Sequence, residues 1–206
     1  MGSGRLITIE GIDGVGKSTL AQGLLDTLRD RGKPVLALRE PGGVAASERV
    51  RGLVKDPGLR IGARAEALLY AAARAQLVEE ALVPALDSGR WVLLDRFIDS
   101  SLAYQGAGRG LGVQAVRDIN LFGTGGVTPD RTLWLSLDPA LARARAYSRG
   151  EPVDRLEGEQ DGFFARIEQA YAQLCAAEPE RIRRIDAAQT PDAVLAAGLD
   201  ALSDLL

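Results

Sequence analysis

Short apolar runs alternate with longer stretches whose apolar positions recur at helical spacing, from the start of the chain to its end. The runs Leu6–Ile9, Pro34–Leu38, Trp91–Asp95, Thr132–Leu137 and Ile182–Ile185 predict strands. Helices are predicted from Lys17 to Arg31, from Ser47, from about Arg64 to Leu86, from Ile98 to Gln105 and from Val113 to Phe122. Three more run from Pro139 to about Ser148, from Phe163 to Glu178 and onward from Thr190-Pro191. Strand runs without polar alternation suit strands covered on both faces, and strand–helix alternation predicts βαβ units around a parallel sheet. Gly32 supplies a helix stop, and Asp138-Pro139 supplies a cap with a first-turn proline. Gly106–Gly112 reads as too glycine-rich for regular structure.

Chemistry concentrates first at Gly11-Ile12-Asp13-Gly14-Val15-Gly16-Lys17-Ser18-Thr19, between the first strand and the first helix. In that context the spacing G-x-x-x-x-G-K-[S/T] predicts a phosphate loop. Its glycines let consecutive N–H groups face one concave nest, where the helix N-terminus adds partial positive charge. Lys17 would reach the outer phosphates, and the Ser18 hydroxyl is a candidate ligand for Mg²⁺.

Composition narrows the remaining chemistry. With 206 residues, 46% of them hydrophobic, the chain reads as one ordered domain spanning 1–206. A net charge of −3 gives no general attraction for nucleic acid, so any polyanion site must be local. Only Lys17, Lys33 and Lys55 among the 25 basic residues are lysines, so arginines must build it. There is no histidine, which removes the usual proton shuttle and every His-ligated metal. The single cysteine, Cys175, has no intrachain partner and reads as packing in a reducing compartment. The sequence shows neither a membrane-length apolar run nor a signal-peptide layout, and the cytoplasm is the expected location.

Three further groups stand out. Asp95-Arg96 closes an apolar strand: a carboxylate there beside a phosphate loop suits Mg²⁺, and the arginine suits a phosphate, although a surface ion pair has the same pattern. Tyr70 and Arg74 share a helix face, where a ring and a guanidinium either bind a flat heterocycle or pack against each other. The charged segment 149–159, broken by Gly150, Pro152 and Gly158, reads as a solvated loop or as a lid closing over phosphates, within about 147–160.

Together with the phosphate loop, Arg39-Glu40-Pro41-Gly42-Gly43, Tyr70 through Gln76, Asp95 through Gln105, Pro129-Asp130 and Asp154 through Glu157 stand in the order and spacing of bacterial thymidylate kinases. The chain resembles that family over its whole length. The resemblance implies the P-loop kinase fold, a five-stranded parallel sheet ordered 2-3-1-4-5 with helices on both faces. It implies γ-phosphoryl transfer from ATP to dTMP with Mg²⁺, and a homodimer without nucleic-acid or membrane partners. Carried over by residue, Asp13 resembles the carboxylate that meets the sugar 3′-hydroxyl, and Glu40 the acid near acceptor and metal. Arg51 matches an arginine lining the acceptor site, Tyr70 the aromatic stacked on thymine, and Arg74 its hydrogen-bonding partner. Arg96 resembles the arginine that grips the acceptor phosphate; Ser101, Tyr104 and Gln105 match residues around base and deoxyribose. Arg145, Ala187 and Gln189 fall with the ATP site, and Ser18, Asp95 and Glu40 with the metal.

Two departures bear on these expectations. Phe97 stands where Tyr or His is frequent, and the phosphate loop has Gly14-Val15 where one branch of the family has an arginine. In members without that arginine the lid supplies the cation, which points to Arg149 first and Arg155 second. A P-loop kinase for another acceptor and a GTPase-like switch are the competing readings; the chain lacks the Asn-Lys-x-Asp guanine motif of the latter.

Overall fold

The computed structural model describes residues 4–148, 155–156 and 159–206. Its centre is one parallel sheet of β1 (Arg5–Glu10), β2 (Val35–Arg39), β3 (Trp91–Asp95), β4 (Arg131–Ser136) and β5 (Ile182–Asp186), in the order β2-β3-β1-β4-β5. All four pairings are parallel, with Ile9 opposite Asp95 and Ile7 opposite Arg131. β4 is buried along its full length, and β1 and β3 nearly so, as the unbroken apolar runs predict. Leu6, Ile9, Val92, Leu94, Leu133 and Leu135 form the centre of the core.

Helices α1 (Lys17–Asp30) and α9 (Pro191–Asp200) pack together so closely that a Cβ at Gly198 would lie 3.0 Å from Leu20. Helices α2 (Ala45–Lys55), α3 (Ala63–Leu77) and α6 (Val113–Thr124) form a second group, with α3 against both α2 and α6. Helices α7 (Pro139–Tyr147) and α8 (Asp161–Ala177) complete the layer beyond β4. α7 carries the cap read from the sequence, Asp138 accepting from Ala140 and Leu141 N–H, and α9 has one as well, Thr190 accepting from Ala193 N–H.

Two predicted helices follow a different path. The stretch expected from Arg64 to Leu86 is α3, a π-helical turn over Val78–Leu82, then α4 (Val83–Asp87). Pro84 brings no N–H to the ladder, and a wider turn before it keeps the chain helical without driving its ring into the preceding carbonyls. The helix expected over Ile98–Gln105 is α5 (Ile98–Ser101) followed by a π-helical segment, Leu102–Gly108, reaching into the glycines expected to be irregular. Those glycines serve close packing: a Cβ at Gly108 would lie 2.7 Å from Phe163, and one at Gly106 would lie 3.0 Å from the Val113 backbone. In a parallel sheet the carboxyl ends of the strands share one edge, and here they deliver Glu10, Arg39 and Asp95 side by side.

Candidate active site

Gly11, Gly14 and Gly16 carry φ values of 133°, 87° and 95°, which L side chains rarely adopt, and α1 begins immediately after at Lys17. Two of them also admit neighbours: a Cβ would lie 2.5 Å from Leu135 O at Gly11 and 2.0 Å from Ala142 O at Gly14. The buried Lys17 ammonium folds back over the loop, donating to Gly11 O (3.1 Å), Ile12 O (2.9 Å) and Asp13 Oδ1 (3.4 Å). Burial and the charge of Arg96 pull its pKa down against the pull of Asp13 and Asp95. Ile12 and Val15 are buried beneath the loop.

Opposite the loop stands a wall of arginines. Arg96 sits just past β3 with φ 68°, the one non-glycine positive φ among the described residues, a conformation costing about 1–3 kcal/mol that only surrounding structure can enforce. Its Nη2 donates to Asp13 Oδ1 (2.8 Å) and Tyr104 OH (3.3 Å), its Nη1 to Ser100 Oγ (3.1 Å), and its guanidinium lies over the Tyr104 ring. Burial disfavours ionisation of Asp13, but the charges of Arg96 and Lys17 outweigh it and hold that carboxyl well below the usual range.

Arg74, 2% exposed, donates to Glu40 Oε2 (2.8 Å from Nε), Ser101 Oγ (2.9 Å), Asn120 Oδ1 and Phe97 O (2.8 Å), and its Nη2 lies 2.6 Å from Glu40 Oε2. All five of its N–H groups thus have protein acceptors within reach, and a heterocycle carbonyl would have to share one of them. Burial pushes the Glu40 carboxyl up while Arg74 draws it down. The Glu40 backbone N–H donates to Asp95 O (2.9 Å), which ties β2's end to β3's.

Cradle and wall enclose one cavity of about 260 Å³, lined on one side by Gly14, Gly16, Lys17 and Ser18 and on the other by Tyr70, Arg74, Arg96 and Tyr104. Asp13, Thr19, Glu40, Arg51, Asp95, Ser101 and Gln105 also face it. Arg51 is steered by a bond to Pro41 O (2.9 Å), and the Gln105 amide by one to the fully buried Glu66 (2.9 Å). The donor set suits Mg²⁺: Asp95 Oδ1 is buried with no hydrogen-bond partner among the described residues, in the same cavity as Ser18. Glu40 Oε1 is likewise buried and unpartnered. Among the described residues no three acidic, Cys or His side chains form a cage.

Other expected site residues lie outside the cavity. Arg145 donates to Ala187 O (2.9 Å), and its helix α7 is the one that crosses Gly14; Gln189 bonds Asp186 (3.0 Å) at the surface. Arg155 turns to the end of α2 and to α3, donating to Val54 O (3.0 Å) with Nη2 2.7 Å from Glu66 Oε2. Arg149, Asp154 and Glu157 lie outside the described residues, as does most of the expected lid.

The pattern left several groups unmarked. Glu10, 0% exposed at the end of β1, accepts from Phe97 N (2.7 Å), Ser100 Oγ and Tyr171 OH (3.0 Å); burial, helped by Asp99, pushes its carboxyl up to about 7. A lone acid within an apolar strand, one residue before the loop, was the available signal. Glu66 stands in the first turn of α3, where an acid is ordinary, and nothing in the sequence distinguishes it or Asn120.

A parallel 2-3-1-4-5 sheet with a glycine phosphate cradle facing an arginine wall defines a P-loop kinase. The family model described as Thymidylate kinase matches residues 9–197, and the chain belongs to the thymidylate kinase family. The thymidylate kinase of Deinococcus radiodurans is 49% identical over 192 residues, covering 93% of each chain. That of Rhizorhabdus wittichii is 46% identical over 207 residues, covering 98% of this chain and 99% of its own. The crystal structure of thymidylate kinase from Ehrlichia chaffeensis aligns with a TM-score of 0.79 at 28% identity, over 100% of this chain and 99% of that one.

Proposed function

We propose that the chain transfers the γ-phosphoryl group of ATP to dTMP, giving dTDP and ADP. The observation that carries this reading is the single cavity shared by the phosphate cradle and by Tyr70, Arg74 and Arg96. The acceptor is already an ionised phosphate oxygen, so the absence of histidine removes nothing the reaction needs. Catalysis rests on alignment and charge neutralisation. The backbone of Gly11–Ser18 and Lys17 hold the ATP phosphates; Arg96 holds the acceptor phosphate; Asp13 braces Arg96 and meets the sugar hydroxyl. Tyr70 stacks on the base, with Arg74, Ser101 and Gln105 along its edge, Tyr104 beside the sugar and Arg51 at the acceptor side. Ser18 and Asp95, with Glu40 behind them, would hold Mg²⁺, which neutralises charge on the transferring phosphate. Arg145, Ala187 and Gln189 serve the adenine end, and Arg149 remains the lid cation of this reading with Arg155 second.

The test is ADP formation from ATP and Mg²⁺ with dTMP, dUMP, dCMP, AMP and thymidine supplied in turn. Turnover with dTMP well above the others is expected; hydrolysis independent of any acceptor overturns the reading.

The same reading makes the protein a cytoplasmic homodimer. Phe122 is 92% exposed, and with Leu121 on α6 and Leu68 on the adjoining α3 it leaves an apolar surface suited to a second copy. Among the described residues no helix is long and apolar enough to cross a membrane. Light scattering should give twice the chain mass, falling to one chain mass for Phe122→Glu; a monomeric parent protein refutes the assembly.

A further inference from the structure

Arg96 holds a backbone conformation that its own side chain disfavours, and the end of β1 encloses it from both sides. Its N–H donates to Ile9 O (3.0 Å), and the next N–H, that of Phe97, donates to Glu10 Oε1 (2.7 Å). The other carboxylate oxygen of Glu10 accepts from the Ser100 hydroxyl, and Ser100 Oγ in turn accepts from Arg96 Nη1 (3.1 Å). Tyr171 OH donates to the same Glu10 oxygen (3.0 Å) from α8. One acid therefore reaches Arg96 twice: through the backbone on its C-terminal side and through a hydroxyl to its guanidinium.

We propose that Glu10 is a positioning residue for Arg96, setting from behind the cavity how well that guanidinium meets the acceptor's monophosphate. The proposal rests on the reading of Arg96 as the group that grips this phosphate. A carboxylate suits the task because three donors converge on its two oxygens, and an amide could accept on one side only. Arg96 makes its direct ion pair with Asp13, not with Glu10; Glu10 is joined to it through Ser100 and the Phe97 N–H, and the nearby Arg96 charge draws the Glu10 carboxyl down against its burial. Nor does Glu10 line the cavity, so it has no direct contact with either nucleotide's site.

Affinity for dTMP compared with thymidine isolates the effect, because thymidine presents the same base and sugar without the phosphate. Calorimetric or competition Kd values for both ligands should be measured for the parent protein, Glu10→Gln, Ser100→Ala, the double variant and Arg96→Ala. For Glu10→Gln and for Ser100→Ala, dTMP binding should weaken about tenfold, as expected for disturbing one charge-assisted contact, with thymidine changed less than about twofold. The double variant should lose less than the product of the single losses, since both changes cut one path. Equal losses for both ligands, or no loss with either variant, overturn the proposal if Arg96→Ala does lower the dTMP preference. If Arg96→Ala leaves that preference unchanged, the Arg96 reading itself fails, and the role of Glu10 falls with it. Ser100 itself lines the cavity, so should Glu10→Gln not fold, Tyr171→Phe, which removes a donor to the same Glu10 oxygen from outside the cavity, takes its place: a dTMP-selective loss is expected, and none overturns the proposal.

Discussion

The two sides of the cavity are built to hold negative charge by different means. The cradle side is one continuous segment in which backbone does the work: three glycines with positive φ, and a lysine whose amine bonds the loop's own carbonyls. The arginine side is assembled from β2, α3, β3 and the turn after it: Arg74 is aimed by Glu40 and Ser101, and Arg96 by Asp13, all distant in sequence, with Ser100 nearby adding a hydroxyl. A local device fails locally, whereas a change in the arginine wall should travel to whatever its partner was holding.

Arg74→Ala breaks the wall most severely. It leaves Glu40 buried without its cation, and Asn120, Ser101 and the Phe97 carbonyl without their donor. Removing one partner of such a pair costs about 3–5 kcal/mol of stability, measurable by denaturant unfolding. The loss should also depend on pH. In the variant the Glu40 carboxyl rises further above its unfolded value, so the native state binds the proton over a window where the unfolded state does not. Stability then falls as pH rises from the ordinary carboxylate range through the raised Glu40 value. Glu10 already gives the parent a slope of the same sign, so adding Glu40→Gln should bring the slope back to the parent's, and a loss relative to the parent that is equal at both ends of the range contradicts the account.

Lys17→Ala tests the other side and should separate activity from folding. Its amine contacts two loop carbonyls and Asp13, and Asp13 keeps its ion pair with Arg96, so melting should move by only a few degrees. Loss of a preorganised charge at the transferring phosphate should lower kcat by about 10²–10³. A melting change as large as that of Arg74→Ala would mean that the lysine braces the loop as much as it serves the phosphates.

The same contrast governs what was legible beforehand. The cradle, the strands and the strand-end Asp95-Arg96 were readable because each is contiguous and obeys a local rule. Sheet order and residue roles came through the family resemblance, and the order stands in the structure. Local pattern did not carry the π-helical turns, where Pro84 and the packing needs of Gly106 and Gly108 override simple periodicity. Nor did it show that Arg74 is braced by Asn120, or that Arg155 turns toward Glu66, because those pairings exist only once distant segments meet. Glu10 lay between: an acid at the end of an apolar run is a visible anomaly, but its partners are set by tertiary structure.

Two glycine substitutions separate what the cradle requires of its backbone from what it requires of its neighbours. Gly14 and Gly16 have nearly the same φ, 87° and 95°, so a methyl group strains the chain alike at both, by about 1–2 kcal/mol. Their surroundings differ. At Gly14 the new Cβ would sit 2.0 Å from the Ala142 carbonyl oxygen, whereas at Gly16 it meets nothing within 4 Å. Gly14→Ala must therefore also displace α7, and overpacking of that kind adds about 1–3 kcal/mol, for a total of about 2–5 kcal/mol. Gly16→Ala should cost the backbone strain alone, a drop of a few degrees in melting temperature, with its effect on ATP KM coming from N–H groups turned out of the nest. Denaturant unfolding of the two variants side by side reads the difference directly. Equal losses would mean that α7 yields freely at Gly14, and that the glycine there serves the loop's conformation and nothing more.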